Sequence, residues 1–478
     1  MSYIHGVSTS EQSTGVFSPV RTESLVPFVV GTAPVHMIKE GETGSVNKAE
    51  LCYSLKEAVA LFGESSDWGN YTLCEAIDSE FRLFGVAPIV LVNVFDPSVH
   101  KEIAVESVTF NADDSVSVAN AGLLSAVIKN EAGDTTYTDG IDYDIDMLTG
   151  VISRISTGAI AEGSIISVDY TYGDPSKVTA ADIIGGIDSA TGTKSGMELV
   201  NTVFPKFGIV PGTMIAPGWS HDSTVAAVLK AKSTNINNHF KAIGIVDVDD
   251  TVCRKYSDVS EYKNLNNLVD PNLVVCWLKL GLGDAVYHQS TQLASLMQKR
   301  AAESRGVPYE SPSNKNYQMD RALANGSEVI LGNEEASYLN SQGVVTAINF
   351  IGGWVSWGNR TSDYPSNTDV KDSFIASRQM YNWFQTELVL TYWKKIDKPM
   401  NRRLIEQILD SLNYRLNSLA SGGYILGGRV EFDFEENSVT DLLDGIANFH
   451  VYLSTVVPMV EAHFTVEYDV NYFSTLFN

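Results

Sequence analysis

Residues 25–34 read LVPFVVGTAP, an uninterrupted apolar run rich in β-branched residues that ends in a turn. Such a run predicts a strand buried on both faces. A helical pattern that stops at a glycine follows at 54–63, SLKEAVALFG, and a second buried strand follows at 87–95, APIVLVNVF. Because buried strands alternating with helices imply a parallel or mixed sheet covered by helices, this part is predicted to be an α/β domain.

A different pattern lies between residues 101 and 177, where helical periodicity is absent. Stretches such as EIAVESVTF (102–110) and GSIISVDYTYG (163–173) run or alternate in β-rich residues, with Asp-Gly and Thr-Gly turns between them. Helix and strand then alternate again. We therefore predict an all-β, sandwich-like domain at 101–177, inserted into an α/β domain that covers 21–100 and 178–345.

The remaining residues, 346–478, mix helices and strands and are predicted to form a C-terminal α+β domain. Residues 401–420 have the single apolar stripe of an amphipathic helix. The chain ends in an alternating strand without a following partner, whose one face carries Val460, Ala462, Phe464, Val466 and Tyr468. Residues 1–20 are small and polar and predict an extended arm. The predicted fold class is α/β and α+β multidomain, with arms at both ends.

The charge of the chain restricts its partners. It has 33 Lys and Arg against 58 Asp and Glu, for a net charge of −25. Nucleic-acid binding depends on neutralising phosphates with basic side chains, so DNA or RNA binding is not expected. No apolar run reaches the length of a membrane span, and the first residues lack the pattern of a signal peptide, so we expect a protein kept in the cytoplasm where it is made.

The cysteines indicate neither disulfides nor a metal site. The four of them, Cys52, Cys74, Cys253 and Cys276, lie far apart without CxxC spacing. Free thiols in a reducing compartment are the prediction. Three aspartates at 142, 144 and 146 have the spacing of a calcium loop, but Met147 stands where the loop requires glycine. A solvated carboxylate face is therefore favoured over a cation site.

Two further stretches only partly match catalytic or nucleotide-binding motifs. In GIDSATGTKSG (186–196), Thr193 separates the last glycine of the loop from Lys194, whereas a phosphate-binding loop has the lysine directly after glycine. Ser-His-Asp at 220–222 are adjacent and cannot converge as a catalytic triad, so we expect Ser220 or Asp222 to cap a helix. No catalytic, cofactor-binding or metal-binding residue is predicted, and no enzyme activity.

The decapeptide GGWVSWGNRT, residues 352–361, allows two interpretations. Its two tryptophans and glycines suit a platform for a neutral sugar. They equally suit a structural corner at a domain junction, in which Trp354 and Trp357 fill a core and Arg360 pairs with a carboxylate. The corner is the prediction, because no pair of carboxylates of the glycosidase type accompanies the tryptophans.

Seven stretches, taken in order, resemble contractile phage tail sheath proteins, a family also found in R-type bacteriocins and related contractile injection systems. They are VPFVVGTAP, APIVLVNVF, DYDIDMLTGVISRI…VDYTYGDPS, RGVPYESPSNK, YLNSQGVVTAINF, GGWVSWGNRT and GGYILGGRVEFDFEENS. The most specific pieces lie at 305–314, 339–344 and 357–361, and the correspondence spans nearly the whole chain. The N-terminal arm departs from the family, which often has Pro-Gly-Val-Tyr where this chain has His-Gly-Val-Ser at 5–8.

The resemblance implies a structural protein, without cofactors, that polymerises around an inner tail tube and contracts to drive the tube through a target cell envelope. The inserted β domain would face outward and the C-terminal domain would face the tube. Both arms would add strands to neighbouring subunits; the residues assigned to this linkage are Ile4, Gly6, Val7, Val460, Phe464, Val466 and Tyr468. The implied partners are further copies of the chain in a ring-stacked helical sheath, the inner tail tube protein, and baseplate and tail terminator proteins. The implied location is the virion tail, assembled in the bacterial host cytoplasm without nucleic acid or membrane insertion.

One helix face is a candidate for contact with the tube or a neighbouring subunit. Arg402, Arg403, Glu406 and Asp410 lie outside the apolar stripe of the 401–420 helix, in a locally basic part of an acidic chain. A merely solvated helix face is the alternative. Two other functions compete with the sheath: a hydrolase on the α/β domain, and a tail or baseplate protein whose β domain binds glycans.

Overall fold

The computed structural model describes residues 24–38, 44–433 and 435–477, so the predicted arm at 1–20 lies outside the described residues. The strands predicted at 25–34 and 87–95 and the helix predicted at 54–63 are present in the first α/β segment, which also contains an unpredicted strand at Ala49–Cys52. Its elements are β1 (Pro27–Gly31), β2 (Ala49–Cys52), α1 (Leu55–Phe62), α2 (Thr72–Asp78) and β3 (Ile89–Asn93), with a π-helical turn at Ser79–Phe84. The side chain of Ser54 caps α1, and the helix ends at Gly63, where a φ of 78° favours glycine.

The segment predicted to be all-β contains six strands. They are β4 (Lys101–Thr109), β5 (Ser115–Ser117), β6 (Leu123–Asn130), β7 (Tyr143–Asp146), β8 (Val151–Arg154) and β9 (Ile165–Gly173). Two three-stranded sheets, in the orders β4-β9-β6 and β5-β8-β7, share a core of their own that includes Ile128, Ile152 and Val168. The chain enters and leaves through paired strands, since Lys101 on β4 lies opposite Gly173 on β9.

Helices and strands alternate again after this module. The elements are α3 (Ala180–Ile184), β10 (Gly186–Ile187), β11 (Lys194–Ser195), α4 (Val200–Phe207), β12 (Thr213–Ile215), α5 (Ser223–Thr234), β13 (Ile243–Asp247), α6 (Tyr256–Leu265), β14 (Leu273–Cys276), β15 (Lys279–Leu282), β16 (Ala285–His288), α7 (Gln289–Glu303), β17 (Arg321–Ala324), β18 (Ser327–Glu328), α8 (Asn333–Ser341), β19 (Val344–Phe350) and β20 (Gly353–Trp357). Of these strands, β10 and β11 form a hairpin, and β16-β15-β17-β18 form a small sheet.

An eight-stranded sheet in the order β2-β3-β1-β12-β13-β14-β19-β20 organises the α/β unit. Its six inner strands run parallel, and β2 and β20 pair antiparallel at the two edges. Strands β1, β3 and β13 are buried along their whole length, as expected for parallel strands covered by helices. The order of strands reverses at β1, which places a topological switch point between the carboxyl ends of β1 and β12.

The C-terminal part is built on two long helices and a two-stranded sheet. Its elements are α9 (Val370–Ser373), α10 (Ile375–Tyr392), α11 (Arg402–Ser421), β21 (Ile425–Glu431), α12 (Val439–Leu443) and β22 (His450–Thr455). Met380 and Phe384 of α10 pack with Leu412 and Leu416 of α11 in a third core. The predicted boundary between 345 and 346 falls inside β19, because the β19–β20 hairpin completes the eight-stranded sheet.

The end of the chain differs from its sequence pattern. Residues 456–469, which include the strand predicted from their alternation, form no strand, and a short 3-10 segment follows at Val470–Phe477. Their side chains are exposed almost throughout. A strand requires a partner for its backbone hydrogen bonds, and the described part of this single chain supplies none.

Candidate assembly surfaces

The switch point of the sheet, where a ligand would bind in many α/β proteins, is filled by the chain itself. Asp247, at the carboxyl end of β13, accepts a hydrogen bond from the Ser290 amide at 2.9 Å. Glu75 accepts hydrogen bonds from the His288 amide at 2.5 Å and from the Thr291 hydroxyl at 2.6 Å, and it contacts the His288 Nδ1 at 2.8 Å. All three donors belong to the first turn of α7 or to its N-cap, so the two carboxylates lie at the N-terminus of this helix.

This cluster is suited to stability rather than to catalysis. Glu75, Asp247 and Ser290 are buried, and carboxylates at a helix N-terminus are stabilised by its unpaired amides and its dipole. Burial opposes protonation of His288, but the charge of Glu75 and the contact with it prevail, so the pKa of His288 is raised. Burial raises the pKa of Asp247. His288 and Thr291 thus tie α7 to Glu75 of α2, and Ser290 ties it to Asp247 of β13.

The motifs rejected from the sequence have structural roles here. Asp222 caps α5 by accepting from the Thr224 and Val225 amides, which confirms the predicted cap. Its neighbours diverge: the Ser220 hydroxyl accepts from the Asp247 amide, and the His221 carbonyl accepts from the Tyr262 hydroxyl.

The glycine-rich loop and the aspartate triplet are held by hydrogen bonds to their own backbone and that of nearby turns. Residues 186–196 contain the β10–β11 hairpin, whose turn is held by Asp188 accepting from the amides of Ala190 and Thr191. The carboxylates of Asp142 and Asp146 accept from backbone amides of neighbouring turns. Among the described residues there is no cluster of three or more potential metal ligands. None of the described helices combines the length and apolarity that crossing a bilayer requires.

The junction residues Trp354, Trp357 and Arg360 lie at the edge of the main sheet and just beyond it. Both tryptophans are partly buried against the main core, and the Trp354 Nε1 donates to the Asp320 carbonyl at 3.0 Å. Among the described residues Arg360 lacks the expected carboxylate partner, and its Nη1 donates to the Ser373 hydroxyl at 3.1 Å. Its guanidinium lies 3.7 Å from the centre of the Phe374 ring and 4.3 Å from that of Tyr364, a cation–π sandwich between the last strand of the sheet and α10.

Sequence reasoning missed a buried lysine near this junction. Lys263 on α6 is 1% exposed, and its Nζ donates to the carbonyls of Gln342 at 2.6 Å, Ser362 at 2.8 Å and Tyr364 at 3.0 Å. Burial lowers its pKa to about 8. The ammonium group therefore joins α6, the end of α8 and the loop that leads to α10. No local sequence signal distinguishes Lys263 from an exposed helical lysine.

Helix α10 connects the C-terminal domain to the α/β unit. On one side, the Asn382 side chain donates to the Asn272 side chain at 2.9 Å in a buried contact before β14. On the other side, the buried Glu387 pairs with Arg415 of α11 at 2.7 Å. This arrangement positions α11 and the two-stranded sheet relative to the α/β unit.

The first turns of α11 and the segment before them form a basic, partly apolar surface. Five of the ten residues from 394 to 403 are Lys or Arg, and one is Asp. Arg402 is 91% exposed and pairs with Glu406 at 2.7 Å, while Arg403 and Asp410 are also exposed. Ile396 is 67% exposed, so apolar area accompanies the positive charge. Charge with adjacent apolar area is typical of a surface that binds an acidic partner.

The second candidate surface consists of the β21–β22 sheet and the tail that follows it. The two strands pair antiparallel from Ile425–Thr455 to Glu431–His450. The predicted linkage residues of the tail are all exposed: Val460 58%, Phe464 88%, Val466 94% and Tyr468 73%. The other predicted linkage residues, Ile4, Gly6 and Val7, lie outside the described residues. The backbone of the sheet is bonded by side chains at Val430 and Leu453, and a sheet of only two strands and an alternating extended tail are the kinds of element that combine by strand addition.

The whole chain has the fold of subunits from contractile sheaths. It superposes on the sheath of an extracellular contractile injection system, PVC, in its contracted state with a TM-score of 0.59, 14% identity and 98% of this chain covered against 99% of that one. It superposes on the contracted helical sheath of the anti-feeding prophage with the same TM-score, 12% identity and 98% and 100% of the two chains covered. The predicted fold class is thus confirmed.

Sequence comparison gives the more particular likeness. The chain is 28% identical to the tail sheath protein of Burkholderia phage BcepMu over 490 aligned residues, which cover 99% of this chain and 98% of that protein. It is 24% identical to a putative prophage major tail sheath protein of Pseudomonas aeruginosa UCBPP-PA14, over 64% of this chain and 77% of that one. No family model matches the chain. The resemblance to contractile tail sheath proteins is confirmed over its full length.

Proposed function

We propose that this chain is the structural subunit of a contractile tail sheath, which polymerises helically around an inner tube and drives that tube through a cell envelope by contracting. The observation that carries this proposal is similarity to a tail sheath protein from end to end, on a fold shared with contracted sheaths. The switch point of the sheet is occupied by α7, which supports a structural rather than an enzymatic role. The hydrolase and glycan-binding alternatives gain no comparable observation.

The tail and the N-terminal arm link the subunits in this proposal. The exposed, alternating residues at 460–468 add a strand to the β21–β22 sheet of a neighbouring subunit, and residues 4–7 do the same from the other end of the chain. Main-chain hydrogen bonds across the new pairs give strong coupling that tolerates changes in side chains. Twenty residues reach at most roughly 70 Å when extended, which sets the largest gap that an arm at 1–20 bridges.

Contraction then uses energy stored during assembly. Head-to-tail contacts that do not close generate a helical lattice. Two packings of the same lattice can differ in free energy, and a barrier holds the extended packing until a trigger arrives. The subunits move nearly as rigid bodies while the arms flex as tethers, and no nucleotide is consumed.

The basic surface before and on α11 faces the inner tube in this proposal. Arg402 and Arg403, with Glu406 and Asp410 beside them, provide charges that select one orientation of an acidic tube surface. Baseplate and tail terminator proteins bind the two ends of the sheath. The assembled particle is a phage tail or related injection device, put together in the bacterial cytoplasm.

Electron microscopy of the purified chain tests the proposal directly. The full chain is expected to form hollow, striated tubes, and a version without residues 1–20 is expected to remain as dispersed subunits. A version that lacks residues 458–478 removes the other arm and should also fail to polymerise. Dispersed monomers of the full chain at every salt concentration would contradict the sheath function. Tubes from both truncated versions would contradict linkage by the arms.

A further inference from the structure

Helix α7 is buried largely through polar side chains. Its buried residues include Gln289, Ser290, Thr291, Gln292, Ser295 and Gln298. Several of them face α2 and the π-helical turn that follows it. Besides the contacts of Glu75, the Ser79 and Ser295 hydroxyls lie 3.1 Å apart, and the Gln298 side chain donates to the Pro88 carbonyl at 2.8 Å. Every buried polar group in such an interface needs a partner, because burial without one is costly.

Glu80 of the π-helical turn lies in this interface and is fully buried. Its Oε2 lies 2.9 Å from the Ser295 hydroxyl, and its Oε1 has no hydrogen-bond partner among the described residues. It forms no ion pair in the part of the chain that the structure describes. Glu75, by contrast, accepts from a backbone amide and contacts His288. The groups that stabilise a negative charge thus surround Glu75 and are missing around Glu80.

The charged groups on the neighbouring elements are engaged elsewhere. The titratable residues around this interface are Glu75 and Asp78 of α2, Arg82 of the same turn, Tyr287 and His288 of β16, and Lys299 and Arg300 of α7. Arg82 and Tyr287 both bind Asp78, and His288 contacts Glu75. Lys299 lies over the Phe84 ring, and Arg300 pairs with Glu310. Burial therefore dominates at Glu80 and raises its pKa well above the usual value, while the Ser295 hydroxyl opposes this shift only in part.

The Ser295 hydroxyl has one hydrogen to donate but two acceptors beside it. These are the Glu80 Oε2 and the Thr291 carbonyl, which lies 3.2 Å away. If Glu80 carries a proton, it donates to Ser295, and Ser295 donates to the Thr291 carbonyl. The Ser79 hydroxyl then donates to the second lone pair of the Ser295 oxygen. An ionised Glu80 would instead be a buried charge with a single neutral donor, which costs far more free energy than a neutral carboxyl group.

We propose that Glu80 is a protonated carboxylic acid in the folded subunit at neutral pH, and that it donates a hydrogen bond to Ser295 which holds the π-helical turn against α7. Loss of this proton places an unpaired charge in the interface, so the contact weakens in alkali. The proposal concerns the single subunit and does not depend on the sheath function.

The direction of the pH dependence follows from where the proton is held more tightly. The folded chain keeps the proton at pH values at which the unfolded chain has released it. The stability that the protonated group confers is therefore fully present below the ordinary pKa of 4.5 and is lost as the pH rises towards the higher pKa of the folded chain. This dependence is opposite in sign to that of a buried neutral histidine.

Infrared difference spectroscopy of the full-length subunit, under conditions that prevent polymerisation, detects the proton directly. A neutral carboxyl group has a C=O stretch at a higher frequency than carboxylates and backbone amides. The spectrum of the wild type minus that of Glu80→Gln should contain this band at pH 7. Ser295→Ala removes the acceptor and should shift the band to higher frequency. Glu198→Gln is the matched control and should leave the band unchanged, because Glu198 is half-buried but pairs with Lys232.

Urea denaturation provides a second, independent measurement. From pH 5 to pH 7, the unfolding equilibrium constant of the wild type should rise roughly tenfold per pH unit relative to that of Glu80→Gln, because only the unfolded wild-type chain releases the proton. Glutamine keeps the shape of the side chain without a titratable proton. Other titrating groups are common to both proteins, so their contributions cancel in the ratio.

Three results would overturn the proposal. The first is a ratio of unfolding constants that stays flat from pH 5 to pH 7. The second is a wild-type spectrum without a neutral carboxyl band at pH 7, which is decisive whether or not the variants fold. The third is a band that persists unchanged in Glu80→Gln. A band that is lost in Glu80→Gln but does not move in Ser295→Ala would overturn the hydrogen bond to Ser295.

Discussion

Lys263 acts at the residue scale as a cross-link between three separated parts of the chain. Its ammonium group satisfies three carbonyls, and Gly343 leaves the space for it, since a Cβ there would lie 2.5 Å from two carbonyl oxygens of the same loop. Replacing Lys263 removes the three N–H donors and leaves the buried carbonyl acceptors unpaired, and each unpaired acceptor costs about 1–3 kcal/mol.

The variant Lys263→Met should therefore be strongly destabilised. We expect its free energy of unfolding to fall by about 3 kcal/mol or more, measured by urea denaturation of the subunit under conditions that prevent polymerisation. Lys56→Met, on the exposed face of α1, is the matched control and should change the free energy of unfolding by less than about 0.5 kcal/mol. Equal stability of the two variants would show that the carbonyls are satisfied without the lysine.

His36 makes the stability of the subunit depend on pH. Its ring lies 5.3 Å from that of Phe95, next to Gly122 and Gly173 of the β module, and both ring nitrogens are buried without a hydrogen-bond partner among the described residues. Burial lowers its pKa from 6.5 to about 4. Because the folded pKa is the lower one, the unfolded chain binds the extra proton, and stability is lost as the pH falls from about 6.5 towards 4.

This effect can be isolated by comparing variants at two pH values. Between pH 7 and pH 5 the wild type should lose about 2 kcal/mol of unfolding free energy more than His36→Leu, which has no proton to gain. Urea denaturation at the two pH values measures the difference. His221→Leu changes an exposed histidine and should keep the wild-type dependence. An unchanged dependence in His36→Leu would show that the ring is reached by water in the folded subunit.

Roles set by sequence neighbours were predictable at this scale, and roles set by distant residues were not. The cap at Asp222 follows from the helix that starts one residue later. The carboxylate partner expected for Arg360 was wrong, since its contacts with Phe374 and Tyr364 depend on how α10 packs. Lys263 is recognised by carbonyls some 80 to 100 positions away, which leaves no local pattern.

At the scale of elements, α11 offers the clearest test of the proposed tube contact. Arg402→Glu with Arg403→Glu reverses two exposed charges at its first turn, where packing is slight. Polymerisation of the sheath alone should persist, and co-assembly with the tube protein should fall at least tenfold because like charges then face each other. Sedimentation of the sheath protein with and without tube protein, followed by gel quantification, measures polymerisation and co-assembly separately.

The matched control reverses a second pair of neighbouring basic residues at a helix start. Arg254→Glu with Lys255→Glu alters exposed residues directly before α6 by the same charge. Co-assembly should be unaffected. Equal losses of co-assembly in the two double variants would mean that net charge, and not position, governs the association. Unchanged co-assembly in both would contradict the proposed contact between α11 and the tube.

Elements defined by their own hydrophobic pattern were predicted, and those defined by partners were not. β1, β3 and α11 lie within a few residues of their predicted positions. The spacing of their apolar residues is enough to identify a buried strand or a helix with one buried face. The alternating residues at 460–468 carry the pattern of a strand but pair with no strand in the described part of the chain, and in the proposed sheath their partner is another molecule.

At the scale of the whole molecule, the net charge of −25 opposes association of identical subunits. The Debye length shortens from about 30 Å at 0.01 M salt to about 8 Å at 0.15 M, so added salt screens this repulsion while contacts made by backbone pairing and apolar burial persist. The critical concentration for polymerisation, measured by light scattering, should therefore fall severalfold over that range. A rise with salt would mean that ion pairs dominate the lattice.

The β module joins the α/β unit through a paired step, Lys101 opposite Gly173, and also packs against His36 at Gly122. Antiparallel partners of this kind have Cα atoms about 5 Å apart, so everything between them forms a closed excursion with its own core. We expect a foreign domain whose ends lie equally close to be tolerated in place of residues 102–172, because the strands of the eight-stranded sheet lie outside this segment. In the proposed sheath, each copy would then carry one such passenger domain, and the passengers would repeat at the spacing of the subunits.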